Sequence, residues 1–233
     1  LNIVACALSY TPKPILLDSI MTADQFHTAE YMAELLKKEI GNIGSKKVAA
    51  VETDNAKAML SITDVYLINE YPHLRINCAA HTLNLLIKDI CALPWFRKII
   101  LGAKNIILKV TRSPLRLGRY EVLINDYIAE QRRDNKTFTP ISLRVFPDVR
   151  WQYATAMLYS IRKAKEILVR LVEDGENEQR FALSIHNRIH IRNHDNFWAN
   201  IDATYNFLAQ FSLGIEKLQS NMATISDVIE IIK

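Results

Sequence analysis

The stretch KVAAVET, residues 47–53, is a short and nearly continuous apolar run, which is typical of a strand buried within a sheet. It ends on Asp54, and residues 55–70 then predict a helix. Three further strand candidates flank this unit, at residues 1–8, 15–20 and 74–77. Because strand and helix signals alternate, the first half of the chain predicts an α/β fold.

Helices account for the rest of the pattern. Thr22-Ala-Asp-Gln25 has capping-box spacing and predicts a helix that runs to about Ile40, and residues 79–90 predict another. From Trp95 onward only helices are predicted, over residues 95–111, 115–133, 151–173, 178–191, 196–219 and 224–232. An apolar stripe at helical spacing marks one of them, at Trp198, Ile201, Tyr205, Leu208, Phe211 and Ile215.

Composition narrows the class of protein. The 233 residues are 49% hydrophobic and 23% charged, which suits one sizeable domain or a domain with a large insertion. The formal charge of +4 and a pI near 8.9 permit a nucleic-acid partner without requiring one. Three cysteines without a CxxC pair argue against a disulfide framework or a zinc ribbon, and they favour a reducing compartment. The apolar start is far shorter than the roughly 20 residues of a membrane span, so no membrane partner is expected.

Asp54 is the best single candidate for chemistry. It follows a predicted buried strand, and functional groups in open α/β sheets cluster at the carboxyl ends of strands. A carboxylate at that position can bind Mg²⁺, which takes oxygen ligands. Alternatively, Asp54 caps the helix that follows it.

The histidine and cysteine patterns each have a chemical and a structural interpretation. Cys78 and His81 form a C-x-x-H pair, which is half of a zinc site or a Cys–His nucleophile, or two residues that pack on one helical face. His186, His190 and His194 recur every fourth residue, a spacing that suits a metal site. Because no HExxH accompanies them, a solvated, mildly basic face is the preferred interpretation of these three histidines.

Two groups are candidates for nucleic-acid binding. Arg150 can hold a phosphate while Trp151 stacks on an unpaired base, unless Trp151 anchors its helix in the core. The densest basic region can contact a phosphate backbone or can be the solvated face of an amphipathic segment. It comprises Lys109, Arg112, Arg116, Arg119, Arg132 and Arg133.

The order of these signals is more specific than any one of them. The runs TPKPILLDSI (11–20), HTAEYMAELLKKEIGNIGSKKVAAVETDNAKAM (27–59), YPHLRINCAAHTLNLLIKDI (71–90) and VRWQYATAML (149–158) resemble the core of hAT-superfamily transposases. Residues 196–228 are similar to the helical insertion of that family. The resemblance implies a partial RNase H-like mixed sheet with flanking helices over residues 1–112, followed by a mainly helical insertion region over residues 113–233.

The resemblance also implies roles for the matched residues. Asp54 corresponds to the second carboxylate of a DDE triad that holds two Mg²⁺ ions. Cys78 and His81 correspond to a C-x-x-H signature beside that triad, and Arg150 and Trp151 to an Arg-Trp motif near the transposon end. We expect the first Asp, the Glu and the C-terminal dimerisation region to be absent, and Val149 replaces the usual Thr.

The sequence therefore predicts a nuclear, DNA-binding internal fragment derived from a DDE-type transposase and inactive alone, with Mg²⁺ bound only by an intact triad. Two alternatives stay open. The chain can be part of an active metal-dependent transposase or nuclease whose other carboxylates lie elsewhere, or it can be a domesticated protein-interaction module.

Overall fold

The computed structural model describes residues 2–6, 14–20, 28–54, 56–70, 75–139, 142–145, 152–193, 196–220, 223 and 225–232. The chain divides into two compact units. The first unit joins residues 1–85 with 214–233, and the second contains residues 86–213. The sequence predicted an RNase H-like part up to residue 112 and a helical insertion after it. The two compact units do not test that assignment, which stays a prediction.

Four short strands form two separate two-stranded sheets in the described part of the first unit. Strands β1 (Asn2–Cys6) and β2 (Pro14–Ser19) pair antiparallel, with a bulge between Ile3 and Val4. Strands β3 (Val51–Thr53) and β4 (Arg75–Asn77) pair parallel.

The predicted strand over residues 47–53 is too long. Residues Ser45–Lys47 form a 3₁₀ turn, so that only Val51, Glu52 and Thr53 enter the ladder. The three strand residues are intermediate or exposed rather than buried. An apolar run therefore marked the position of the strand correctly and its burial wrongly.

Helix α1 (Ala29–Ile43) begins at Thr28, whose Oγ1 accepts a hydrogen bond from the Tyr31 N–H (3.2 Å). It ends at Gly44, whose φ of 94° lies in the region that favours glycine, and the Gly44 N–H donates to the Ile40 carbonyl (3.0 Å). The helix continues three residues past the predicted end at Ile40. The capping box proposed at residues 22–25 lies outside the described residues.

Three further helices of the first unit complete it. Helix α2 (Lys57–Ser61) passes into a π-helical turn (Ile62–Leu67), so the single helix predicted for residues 55–70 is shorter and changes its winding. Helix α3 spans Ala79–Ala92 and helix α10 spans Ile225–Ile232. Met32 and Ala33 of α1 pack with Ile62 and Leu67 of the π-helical turn to form a buried apolar cluster.

Helices are the regular elements in the described part of the second unit. It contains α4 (Pro94–Thr111), α5 (Pro114–Arg133), α6 (Gln152–Lys163), α7 (Lys165–Asn177), α8 (Ile185–Ile191) and most of α9 (Phe197–Leu218). Prolines open α4 and α5, where the missing N–H costs no intrahelical hydrogen bond.

Two predicted helices are each divided in the structure. The helix predicted over residues 151–173 breaks at Ala164, which leaves helical geometry and separates α6 from α7. The helix predicted over residues 178–191 becomes a 3₁₀ turn (Gln179–Phe181) and α8, because Glu178 is extended and Ser184 starts a new helix by capping the Asn187 N–H. No proline or glycine marks either break.

The predicted apolar stripe of α9 is confirmed for most of its length. Trp198, Ile201, Leu208 and Ile215 are buried, and the Trp198 Nε1–H donates to the Ile191 carbonyl (2.8 Å). Tyr205 and Phe211 are only partly buried. The described residues combine four short strands with a large majority of helix, as expected of a mixed α/β class. Among these residues, no helix is long and apolar enough to cross a membrane.

Candidate functional site

The parallel β3–β4 pair places the carboxyl ends of both strands at one edge. Thr53 stands opposite Asn77, so that Asp54 and Cys78 are the first residues beyond each strand. The Cys78 backbone N–H extends the ladder by donating to the Thr53 carbonyl (3.0 Å). The topology therefore brings Asp54 and the C-x-x-H pair, which are 24 positions apart in sequence, to the same edge.

Asp54 is exposed, and its Oδ1 accepts a hydrogen bond from the Ala56 N–H (3.0 Å). This contact shapes the turn that leads into α2, as aspartate side chains commonly do in turns. The residue at the N-cap of α2 is Ala56 itself, which has no side-chain cap. Asp54 therefore does not cap α2, and its described hydrogen bond lies in the turn before that helix.

Cys78 is half-buried just before α3, and its surroundings disfavour the thiolate. Burial raises the pKa of Cys78, and a hydrogen bond from the thiol to the Glu52 carboxylate raises the pKa further. Hydrogen bonds from the backbone N–H groups of His81 and Ala80 lower the pKa, but the net shift is upward. Because the thiolate is the form that attacks and binds metals, a raised pKa agrees with the packing interpretation of Cys78.

The described residues do not fit a two-Mg²⁺ centre. Such a centre needs several carboxylates that converge on the ions, and no cluster of three or more metal-ligating side chains occurs among the described residues. Glu52 is exposed on β3 and interacts with Cys78. Asp54 and Glu52 are thus the carboxylates described at this edge, and they form no three-residue metal cluster there.

The three arginines predicted to bind nucleic acid occupy different environments. Arg119 forms an ion pair with Asp174 across α5 and α7 (2.6 Å), and this contact raises the pKa of Arg119. Arg116 donates from Nη1 to the Lys109 carbonyl (3.1 Å). Arg112 is exposed at the C-cap of α4. Two of these arginines therefore hold helices in place, and Arg112 remains available at the surface.

Two of the remaining predicted residues, His186 and His190, have described positions in α8. His190 is buried and stacks on Phe197 with 4.9 Å between ring centroids, and His186 lies edge-on to His190 at 4.3 Å. The contact with Phe197 packs α8 against α9, so the predicted solvated face is wrong at His190, whereas His186 is exposed as that interpretation expects. Arg150, Trp151 and His194 lie outside the described residues.

A basic surface that the sequence predicted only in part, at Lys109 and Arg112, runs along α4. It comprises Arg97, Lys98, Lys104, Lys109 and Arg112, and is called here the α4 cationic face. Four of these side chains are exposed and Lys104 is half-buried. The signal was present in the sequence, because no Asp or Glu occurs between Asp89 and Glu121.

Beside that face lies a row of four aromatic rings in successive contact. Trp95 meets Phe96 at 4.8 Å between centroids, Phe96 meets Phe207 at 5.5 Å, and Phe207 meets Phe211 at 5.1 Å. Trp95 is 49% exposed and Phe207 is 42% exposed. This group, called here the aromatic row, joins the start of α4 to the middle of α9.

Comparison with known protein families gives a match that includes the carboxyl ends of β3 and β4. Residues 2–106 match the family described as "Domain of unknown function (DUF659)", a domain found in hAT-like transposase-related proteins. The matched segment includes Asp54, Cys78 and His81. No curated protein matches the chain.

Proposed function

We propose that the chain is a DNA-binding part of a hAT-type transposase-related protein that does not cleave DNA by itself. In this proposal, residues 1–112 contain part of an RNase H-like sheet with flanking helices, and residues 113–233 belong mainly to the helical insertion. The DNA-binding role, a nuclear location and association with further copies through a C-terminal region follow from the resemblance.

The observation that carries the proposal is the shared edge of Asp54 and Cys78. The two residues follow neighbouring parallel strands, inside the segment that matches a domain of transposase-related proteins. In the DDE family that the sequence resembles, the second carboxylate and the C-x-x-H signature lie next to each other beside the active site. The arrangement around Asp54 supports the same correspondence.

The strand pairing supports the proposed partial sheet. Within the described residues, β1 pairs only with β2, and β3 pairs only with β4. The RNase H-like sheet of this family has its first strand in a central position. Two separate strand pairs are the arrangement that we expect when that central strand is not among the paired residues.

The proposed absence of cleavage rests on the donor set at the edge. Two-metal cleavage needs carboxylates on both sides of the attacking and leaving oxygens, and Asp54 provides one. Binding requires less, because cations neutralise phosphates without any catalytic constellation. The net charge of +4 agrees with binding to a polyanion.

The test combines DNA binding with DNA cleavage on the same preparation. Fluorescence anisotropy measures the affinity of the full chain for a hairpin-ended duplex and for a plain duplex. A supercoiled plasmid with Mg²⁺ reports nicking, and Asp54→Asn is measured beside the unchanged chain. We expect binding by both proteins and nicking by neither.

Two results would overturn the proposal in different ways. Nicking that Asp54→Asn abolishes would make the chain an active metal-dependent nuclease, the first alternative. Failure of a well-folded chain to bind either DNA would leave a protein-interaction module, the second alternative.

A further inference from the structure

We propose that the α4 cationic face and the aromatic row together form a binding surface for single-stranded DNA. This inference rests on the proposed function and deepens it, since it names the surface and the strand state of the DNA. The residues that carry it are different from those at the β3–β4 edge.

The first support is the uniform charge of α4. Residues 90–120 contain seven Lys and Arg side chains and no acidic side chain. Arg116 and Arg119 are engaged by other groups, and the other five form the α4 cationic face. From Arg97 to Arg112 this face extends over about 22 Å of helix, at a rise of ~1.5 Å per residue.

Four of the five cations of this face, all except Lys104, also form no described ion pair. Among the described residues, no carboxylate forms an ion pair with Arg97, Lys98, Lys109 or Arg112, although many other cations of the second unit have such partners. These four cations repel one another unless a polyanion compensates their charge. A phosphate backbone that runs along α4 provides that compensation.

The second support is the exposure of the aromatic row. Large aromatic side chains are usually buried, since they contribute the most apolar area to a core. Here Trp95 and Phe207 keep close to half of their surface in solvent, beside the cationic end of α4. Exposed rings next to basic side chains are the combination that binds single strands, because each base offers a face for stacking.

The aromatic row decides between single-stranded and duplex DNA. In a duplex the base faces are already stacked on one another and are not accessible to side chains. A single strand leaves those faces free, so that bases stack on Trp95 while the phosphates meet Arg97 and Lys98. The surface therefore suits an unpaired strand.

A pocket next to Trp95 adds polar groups at the position of a stacked base. Its volume is about 80 Å³, and Lys98 and Asn200 line it together with Trp95, Ile99, His190 and Phe197. A cavity of roughly 150 Å³ accepts a benzene ring, so this pocket is too small for a whole base. A base that stacks on the exposed part of Trp95 can instead place its edge near Lys98 and Asn200.

The experiment uses the full chain and fluorescein-labelled oligo(dT) of 12 nucleotides, with a duplex of equal length, in an anisotropy titration across a salt series. Three α4 variants are measured, namely the double variant Arg97→Glu/Lys98→Glu, Trp95→Ala and Trp95→Phe. The matched control is Lys46→Glu/Lys47→Glu, an adjacent pair of exposed cations in the first unit, with the same change of net charge. Circular dichroism checks the helix content of every variant.

We expect the α4 double variant to weaken oligo(dT) binding by about tenfold or more, and the control to weaken it by less than about twofold. Losing two phosphate contacts makes the negative slope of log K against log salt shallower by about 1.4, at ~0.7 per contact with a single strand. Trp95→Ala weakens binding by about fivefold or more without changing that slope, and Trp95→Phe retains most of the affinity, because stacking needs an aromatic ring.

Three results would count against the inference, and they are distinguishable. Oligo(dT) binding that the α4 variants leave equal to the control would remove this surface while the proposed function stands. Tighter binding to the duplex with no effect of Trp95→Ala would show a duplex-binding surface instead. A folded chain that binds neither DNA would remove the proposed function together with the inference.

Discussion

The Cys78 N–H donates to the Thr53 carbonyl over 3.0 Å, and this single backbone contact aligns the residues that follow two parallel strands. It places Asp54, which follows β3, at the same edge as the start of α3, which follows β4. It also brings the Cys78 thiol to Glu52, whose carboxylate accepts its hydrogen bond. The chemistry of that edge is therefore measurable through the thiol.

Alkylation of the cysteines tests this edge. In a Cys6→Ser background we expect Cys91 to react only on unfolding, since it is 1% exposed and burial raises its pKa to about 11. Cys78 should react sooner, and Glu52→Gln should speed its reaction because removing the carboxylate lowers the pKa of the thiol. Iodoacetamide labelling with peptide mass analysis measures both rates, with Glu30→Gln as the control. Equal rates at Cys78 and Cys91 in folded protein would contradict the described edge.

Two helical glycines should respond oppositely to alanine. A Cβ at Gly175 would lie 2.8 Å from the Ala182 Cα, so Gly175→Ala should lower the free energy of unfolding by about 1–3 kcal/mol through overpacking. Nothing lies within 4 Å of a Cβ at Gly118, where alanine should raise the free energy of unfolding by roughly 0.5–1 kcal/mol. Urea unfolding measures both values. The packing of α7 against the Gln179–Phe181 turn would be wrong if Gly175→Ala were as stable as Gly118→Ala.

The ion pair between α5 and α7 should make stability depend on acid. Arg170 donates two hydrogen bonds to the Glu130 carboxylate, at 2.9 and 2.7 Å, and this contact lowers the pKa of Glu130 below its ordinary 4.5. A lowered folded-state pKa stabilises the protein above the ordinary value, and the contribution is lost as the pH falls through the lowered pKa. Glu130→Gln should therefore reduce the loss of stability between about pH 5 and pH 3. Thermal melts over that range, with Glu121→Gln in the same helix as control, distinguish the pair from a general charge effect.

The β1–β2 hairpin should limit solubility. Ile15 and Leu16 are each 59% exposed. Because neighbouring strand residues point to opposite faces, both faces of the β1–β2 pair present apolar surface. Exposed apolar strands with open edges pair with other chains. Ile15→Lys/Leu16→Lys should raise the monomeric fraction in size-exclusion chromatography, whereas Leu93→Lys, at an exposed residue before α4, should not. A fully monomeric unchanged chain would contradict this expectation.

The helices were the part of the fold that the sequence predicted best. Regular 3.6-residue patterns located α4 and α5 to within one residue. The break at Ala164 carries no proline or glycine, and its position depends on how α6 and α7 pack, which a local pattern does not contain. The pairing of β3 with β4 is likewise a long-range property, so the sequence located the strands without establishing which edges they share.

The candidate residues differ for the same reason. The position of Asp54 after a strand could be predicted because it depends on its immediate neighbours. The ion pair of Arg119 with Asp174 joins residues 55 positions apart, so charge counting assigned Arg119 to DNA although it holds two helices together. The α4 cationic face was predictable in principle, since an absence of acidic residues over 31 positions is visible in the sequence alone.

The most direct test of the central claim is the salt dependence of DNA binding by the full chain. Anisotropy titrations with a hairpin-ended duplex, whose loop also offers unpaired bases, give the slope of log K against log salt. Binding through four or five phosphate contacts predicts a slope of about −3 to −4.5, at ~0.7–0.9 per contact. A slope near zero, or no binding by well-folded protein, would contradict the account.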